Sequence, residues 1–514
     1  IAPDTAEAVA TTAPDTAEAV ATTTTDTTGP VQRRGMITAD RMAAVDRNAA
    51  ALGVSQKQLM ESSGNAVARA VREVAPPDGR VGVLGGRGNN GGDAFVAARF
   101  LAGFDVTTLL LGRPDAVSTH IARENWDALE SAAADVRTVG DSADLDLGDP
   151  DVLVDGLLGT GVRGAPREPA ASAIRAINDA DATVVSVDVP SGIDADTGEA
   201  AGVAVDADRV VTFHDLKPGL ADLDCEVTVA DIGIPPAAER FVGPGDLASL
   251  SRPSDSHKGE NGEVLFVGGG PYTGAPALSA QAGLRAGADL AFVACPESIA
   301  REVQGYSENL IVDSFVGTRL LAEHVPELLE RAADVNVVVL GPGLGDADDT
   351  LAAVRRFLAA FDGKVVVDAD ALQVVPDVET DASLVCTPHQ GELRGMGGPS
   401  AADWRERADA VTAFADELGH ALLVKGACDV ISDGQATRVN RTGNPGMTVG
   451  GTGDVLAGVT AAMFSTMDAL PAASIAAYAN GRAGDDVVDD YSYGLLATDL
   501  LDALPAALWG DDNE

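Results

Sequence analysis

The sequence predicts an α/β fold made of two three-layer α/β/α domains. Three observations carry this. Short Val- and Leu-rich runs alternate with amphipathic helical segments, the signature of a parallel sheet covered on both faces. The alternation halts near Gly243-Pro244-Gly245 and Ser251-Arg252-Pro253-Ser254, then begins again. A chain of 514 residues that is 46% hydrophobic is too long for one ordinary core.

Residues 38–51 read as a helix with Thr38 as N-cap and Gly53 just past its end. Residues 55–75 read as a second helix, capped by Ser55 and stopped by Pro76-Pro77. Strands are expected near 81–84, 106–111, 152–154, 183–187, 209–212 and 226–229. The Gly/Pro/Ser stretch reads as a looser linker. After it, strands are expected at 263–267, 289–294, 335–340, 364–368, 383–386 and 421–424. Helices are expected near 274–286, 318–333, 347–361, 401–418, 453–465, 470–484 and 495–508. The expected organisation is a tail at 1–33, a first domain at 34–242 and a second at 246–514.

Residues 2–12 repeat verbatim at 13–23 and run into a Thr-rich segment, so the tail is expected to be disordered. The opening Ile1 is expected to mark a processed or misassigned start. Net charge is −44, which argues against nucleic acid or an anionic membrane as partner. Five lysines stand against thirty arginines. An acidic, lysine-poor surface suits a cytoplasm of very high salt, and a haloarchaeal host is expected. Four scattered cysteines without a C-x-x-C fit a reducing cytoplasm, and the six histidines lack metal-ligand spacing. No signal peptide or membrane span is expected. A homo-oligomer is.

In open α/β sheets, ligands bind beyond the carboxyl ends of the strands. Three such loops stand out in the first half. Gly85-Gly86-Arg87-Gly88-Asn89-Asn90-Gly91-Gly92-Asp93 leads into a helix and offers N–H groups to a diphosphate. Val154-Asp155-Gly156-Leu157-Leu158-Gly159-Thr160-Gly161 and Asp188-Val189-Pro190-Ser191-Gly192 each place an aspartate at a strand mouth. One aspartate there is commonly a turn cap; three loops on one sheet edge point to a shared pocket.

In the second half, Thr442-Gly443-Asn444-Pro445-Gly446-Met447-Thr448-Val449-Gly450-Gly451-Thr452-Gly453-Asp454 runs straight into an apolar helical segment. A helix N-terminus has unpaired N–H groups and a partial positive charge, so it can hold phosphate. Asp454 then stands where phosphate meets acceptor, placed to take a proton from an attacking hydroxyl.

The strings NNGGD-AFVAAR, VDGLLGTG and VDVPSGID resemble the epimerase half of the bifunctional NAD(P)H-hydrate repair enzymes, over roughly 36–240. His257-Lys258-Gly259, Gly268-Gly269-Gly270 through Pro276, Gly341-Pro342-Gly343-Leu344-Gly345, Thr387-Pro388-His389-Gln390-Gly391-Glu392, Val424-Lys425-Gly426-Ala427 and the GTGD string resemble the dehydratase half, in the expected order. The resemblance implies a Rossmann-like first domain and a ribokinase-like second.

By resemblance, Asn89, Asn90, Gly91, Gly92 and Asp93, with Gly159, Thr160, Gly161, Val162, Arg163, Gly164 and Ala165, would hold the dinucleotide. Asp188 would be the acid/base, and Asn90, Asp155 and Ser191 would coordinate K+. Ala94 departs from the family's usual glycine, and Ser62-Ser63 touches no assigned group. Ala275, Gly343, His389 and Asp454 would contact the hydrated cofactor. Lys425, Gly426, Ala427, Cys428, Asp429 and Gly453 would bind the nucleotide. Asp429 departs from a smaller family residue, and a carboxylate there is unfavourable beside an anion unless it faces solvent. The implied substrates are NADHX, NADPHX and ADP, with Mg2+ bridging the nucleotide phosphates; the residues themselves do not separate ADP from ATP.

Two other readings stay open at this point. A hydroxymethyl kinase of the ribokinase class shares the GTGD logic but leaves the first domain unexplained. A first domain that is a non-catalytic binding module is the other.

Overall fold

The structure is a computed structural model and describes residues 35–161 and 163–510. The expected disorder of the repeat lies outside the described residues, as do Val162 and residues 511–514. Both expected N-terminal caps form. Thr38 Oγ1 accepts from Arg41 N–H, and Ser55 and Gln58 make a reciprocal capping box.

Seven strands build the first sheet: β1 (Arg80–Gly85), β2 (Asp105–Leu111), β3 (Asp135–Val139), β4 (Val152–Gly156), β5 (Thr183–Val187), β6 (Arg209–Phe213) and β7 (Glu226–Ala230). They lie in the order β3-β2-β1-β4-β5-β6-β7, every pair parallel. Successive strand residues face opposite sides. Val81, Val83, Val152 and Val154 pack under the helices Ala39–Ala51, Gln56–Val74 and Asn89–Phe100. Leu84, Leu153 and Val184 pack against Ile174 and Ile177 of the helix Ala170–Asn178 on the other face.

The second sheet comprises β8 (Glu263–Val267), β9 (Leu290–Pro296), β10 (Ile311–Phe315), β11 (Val337–Leu340), β12 (Lys364–Val367), β13 (Ser383–Cys386), β14 (Ala421–Val424), β15 (Asp429–Ser432) and β16 (Thr437–Asn440). Its order is β10-β9-β8-β11-β12-β13-β14-β15-β16, parallel up to β14 and antiparallel beyond. One face carries the helices Gly274–Ala286, Thr452–Thr466, Ala469–Tyr491 and Ala497–Trp509. The other carries Val325–Ala332, Asp348–Leu358 and Trp404–Leu418. Each domain is therefore a three-layer sandwich.

Four strands were not expected. β3 and β10 are edge strands whose residues are mostly exposed, so neither shows a continuous apolar run. β15 and β16, joined by residues 433–436, carry polar residues at Asp429, Ser432, Thr437, Arg438 and Asn440, so neither shows a continuous apolar run. The helix expected over 318–333 spans only Val325–Ala332, because Pro326 in its first turn suits a start and not an interior.

The segment read as a loose linker is tied down. Arg41 Nη1 pairs with Asp246 Oδ1 at 2.6 Å, and Asn48 Nδ2 donates to Asp246 Oδ2 at 2.9 Å. Val242 N–H donates to Val439 O on β16 at 3.0 Å. The connection runs along the edge of the second sheet while its next residues pack on the first helix of the chain.

Candidate functional site

The strand order reverses between β1 and β4 in one sheet and between β8 and β11 in the other. Loops leaving such neighbouring strands diverge and open a crevice. In the first domain the crevice is a cavity of about 750 Å³. It is lined by the strand-end loops on one side and the helices Ala39–Ala51 and Gln56–Val74 on the other. A Cβ on Gly86 would lie 1.9 Å from Leu157 O, so only glycine lets the two loops approach this closely.

Of the residues expected to hold a dinucleotide, Asn89, Asn90, Asp93, Gly159, Thr160 and Gly161 line this cavity, together with Asp188. Gly91 and Gly92 do not. They form the buried inner face of the helix Asn89–Phe100, against Gly86 and Met60. Arg163, Gly164 and Ala165 lie outside the lining, Arg163 pairing with Asp40 at 3.8 Å. Val162 is not among the described residues. Ala94 is fully buried, and its methyl faces Gly156, where a second Cβ would come within 2.6 Å. Ser63 departs from expectation: it is buried and lines the cavity.

Asp188 has φ +61°, a left-handed backbone that turns its side chain from the strand end toward the cavity. Its Oδ1 accepts from Lys217 Nζ at 2.6 Å, Thr212 Oγ1 at 3.1 Å and Phe213 N–H at 3.2 Å. Lys217 is completely buried and also donates to Phe213 O at 2.8 Å. Behind this group lies Asp155, whose carboxylate accepts from Ser191 N–H (2.8 Å), Ser191 Oγ (2.5 Å), Ser186 Oγ (2.9 Å) and Leu157 N–H (3.3 Å). Burial raises the Asp155 carboxyl against these hydrogen bonds. Asn90 Nδ2 donates to Leu158 O at 2.9 Å, and Ser191 Oγ lies 3.3 Å from the same carbonyl. Asn90, Ser191 and the Leu158 carbonyl are thus gathered at one point with Asp155 behind them.

In the second domain, Lys425 is the centre. Its Nζ lies 3.0 Å from Asp368 Oδ1 and 3.8 Å from Glu392 Oε2. Burial alone would lower the Lys425 ammonium, but Asp368, Glu392 and Asp454 together raise it. Thr387 Oγ1 donates to Asp368 at 2.7 Å. A Cβ on Gly453 would lie 3.4 Å from Lys425 Nζ, so the GTGD turn and the lysine meet across the mouth. Gly451, with φ +100°, turns the chain into the helix Thr452–Thr466, and Asp454 sits in its first turn. Burial, and then the charges of Asp368 and Glu392, push the Asp454 carboxyl up to about 7 against the opposing pull of Lys425.

His389 caps the helix Gln390–Gly395. Its Nδ1 accepts from Gly391 N–H at 2.9 Å and Glu392 N–H at 3.1 Å, and its exposed ring leaves Nε2 at the mouth. Gly343, with φ +73°, packs on Ala275, since its Cβ would lie 3.3 Å from that methyl. Gly426 and Asp429 belong to one tight turn, with Gly426 N–H donating to Asp429 Oδ1 at 2.9 Å. Asp429 faces inward, contrary to the solvent-facing arrangement its charge called for. Asn440 Nδ2 donates to its other oxygen at 2.9 Å, and burial pushes its carboxyl up to about 6. The backbone of Cys428 is held through its carbonyl by Arg407 at 2.8 Å. Among the described residues, no group of three or more His, Cys, Asp or Glu side chains is arranged to hold a metal ion.

Sequence reasoning missed Asp46, Lys217, Asp368 and Glu392 as site groups. Asp368 carried a readable signal: it follows β12 as Asp155 and Asp188 end or follow strands of the first sheet.

Residues 264–506 match the family described as NAD(P)H-hydrate dehydratase, and residues 56–219 match the family described as YjeF-related protein N-terminus. The chain is 43% identical to the bifunctional NAD(P)H-hydrate repair enzyme Nnr of Methanothermobacter thermautotrophicus over 492 residues, covering 91% of this chain and 94% of that protein. It is 44% identical to the enzyme of the same name from Pyrobaculum aerophilum, covering 92% and 98%. Among solved structures, the ADP/ATP-dependent NAD(P)H-hydrate dehydratase of Bacillus subtilis, co-crystallised with ATP and Mg2+, is 26% identical with a TM-score of 0.46, covering 52% of this chain and 97% of that one.

Proposed function

The chain belongs to the bifunctional NAD(P)H-hydrate repair enzymes, and we propose that its two sheet mouths divide that repair between them. The first interconverts the R and S forms of the hydrated cofactor. The second returns the S form to NAD(P)H, consuming ADP and releasing AMP and phosphate.

The observation that carries the second assignment is Asp454: a carboxyl pushed up to about 7, in the first turn of a helix, across from the half-buried Lys425. A base works best with a pKa near the operating pH. Hydroxide is a poor leaving group, and phosphorylating it converts it to phosphate, whose departure restores the ring's conjugation. Asp454 takes the hydroxyl proton. The helix N–H groups and Lys425 stabilise the charge on the transferring phosphoryl. Ala275, Gly343 and His389 contact the hydrated ring, and the turn from Lys425 to Asp429, with Gly453, holds the nucleotide. Mg2+ would be held chiefly by nucleotide phosphates and water, where it would neutralise phosphate charge.

In the first mouth, Ser191 Oγ and the Leu158 carbonyl place oxygens in front of one carboxylate, Asp155, and the Asn90 amide, whose nitrogen donates to that carbonyl, can turn its oxygen to the same point; oxygen donors of this kind fit a hard cation such as K+. Bound there, K+ would supply a fixed positive charge beside the dinucleotide. Asn89, Asn90, Asp93 and Gly159–Gly161 hold the dinucleotide, and Asp188 exchanges protons at the ring. Among the described residues no helix is long and apolar enough to cross a membrane, and the four scattered cysteines fit the reducing cytoplasm as the place of action.

The test is to incubate racemic NADPHX with ADP, and separately with ATP, in molar KCl while following the absorbance of the reduced cofactor. Full conversion of both epimers is expected with ADP. Conversion stopping at half would remove the epimerase assignment, and a stable phosphorylated product would turn the second domain into a kinase.

A further inference from the structure

We propose that Asp46 is the second acid–base group of the epimerisation, acting on the face of the hydrated ring opposite Asp188; this rests on the epimerase reading above. Both aspartates line the same cavity. They reach it from different walls, Asp46 from the helix Ala39–Ala51 and Asp188 from the end of β5.

The two carboxyls are differently held. The hydrogen bonds to Asp188 all end on Oδ1, one of them from the buried Lys217 Nζ, with Oδ2 left for a ligand. Asp46 is half-buried, and its carboxyl makes no hydrogen bond or ion pair among the described residues. The titratable groups facing Asp46 are Asp188, Lys217, His214 and Asp93. Burial and then Asp188 push its carboxyl up to about 6, against Lys217 and His214. One cavity thus holds a carboxyl fixed in place by three donors on one oxygen and a second carboxyl, unpartnered and raised by burial. Environments that separate two such groups assign the acid and the base.

The reaction needs such a pair. The hydroxyl sits on C6, beside the ring nitrogen. As the C6–O bond breaks, the nitrogen lone pair forms N1=C6, and the leaving oxygen takes a proton from the acid and departs as water. A water then adds to the other face of C6, its surplus proton goes to the base, and the N1=C6 pair returns to nitrogen. One water leaves, one enters, and one proton has moved from acid to base. The reverse reaction exchanges the roles. A single carboxylate anchored on one side serves one face only.

Asp93 is the alternative, since it also lines the cavity, but it is buried at the base of the helix Asn89–Phe100. The experiment uses the full chain without ADP. It measures conversion of isolated R epimer to S by chiral chromatography, with the uncatalysed rate subtracted. Asp46→Asn is expected to lower kcat about a hundredfold or more with little change in KM, and Asp46→Glu to recover part of it. Wild-type kcat/KM is expected to decline as pH rises through about 6, with this limb absent from Asp46→Asn. An unchanged melting temperature and circular dichroism spectrum report that the first domain of each variant is folded. Wild-type kcat in Asp46→Asn, or a loss confined to Asp93→Asn, would overturn the proposal. A wild-type chain that does not convert R to S would remove the epimerase reading itself.

Discussion

Lys425 Nζ and Asp368 Oδ1 lie 3.0 Å apart at the mouth of the second sheet, the lysine reaching from the end of β14 and the aspartate from the end of β12. The side chain of Asp368 is almost fully buried, so this is an ion pair withdrawn from water. Removing one member of such a pair leaves the other charge uncompensated and costs about 3–5 kcal/mol. Lys425→Met and Asp368→Asn should each destabilise the chain by that order in urea unfolding. The double variant should regain most of the loss while dehydration stays absent. Additive single effects would show that the two charges do not depend on each other.

The two sites should fail separately. Asp454→Ala is expected to reduce dehydration about 10³-fold and leave R-to-S conversion unchanged. Asp188→Ala should do the reverse, converting only the S half of a racemic mixture. Each variant is assayed for both reactions in one preparation. Loss of both activities in a folded single variant would contradict two independent mouths.

His389 combines a cap with a proposed ligand contact, and one substitution separates them. Its Nδ1 accepts the N–H groups of Gly391 and Glu392, a task that an asparagine side chain performs as well. His389→Ala should cost about 1 kcal/mol through the lost cap. His389→Asn should restore the melting temperature yet keep a raised KM for the S epimer. A normal KM in His389→Asn would reduce His389 to a structural cap.

The doubly wound cores were legible because buried parallel strands are continuous apolar runs, as in Val337–Leu340. The edge strands β3 and β10 were not, since an edge exposes most of its residues. At the sites, glycine strings and strand-end aspartates mark backbone geometry, which is local in sequence. That made Asp155, Asp188 and Asp454 readable. Lys217 and Asp46 owe their roles to what surrounds them. Lys217 is fully buried, and its partner Asp188 lies 2.6 Å away, 29 residues earlier. Asp46 belongs to an ordinary amphipathic helix until that helix is folded over the cavity. Asp368 had the same strand-mouth position as Asp188 and was passed over because no glycine string follows it.

The charge on Asp454 should be a burden to the fold. Its folded carboxyl is raised to about 7 by burial, Asp368 and Glu392, while an unfolded aspartate titrates near 4. Between those values the native state binds more protons than the unfolded chain. Stability from this group is therefore complete below about 4 and is lost as pH rises through 7. Asp454→Asn keeps the shape and never acquires the charge. It should melt at a higher temperature than wild type at pH 8, with the gap closing as both are brought toward pH 4. Thermal unfolding of the two chains across that range checks this. An equal or lower melting temperature for the variant at pH 8 would mean that Lys425 neutralises Asp454 in full, and the case for Asp454 as a base poised near neutrality would fall with it.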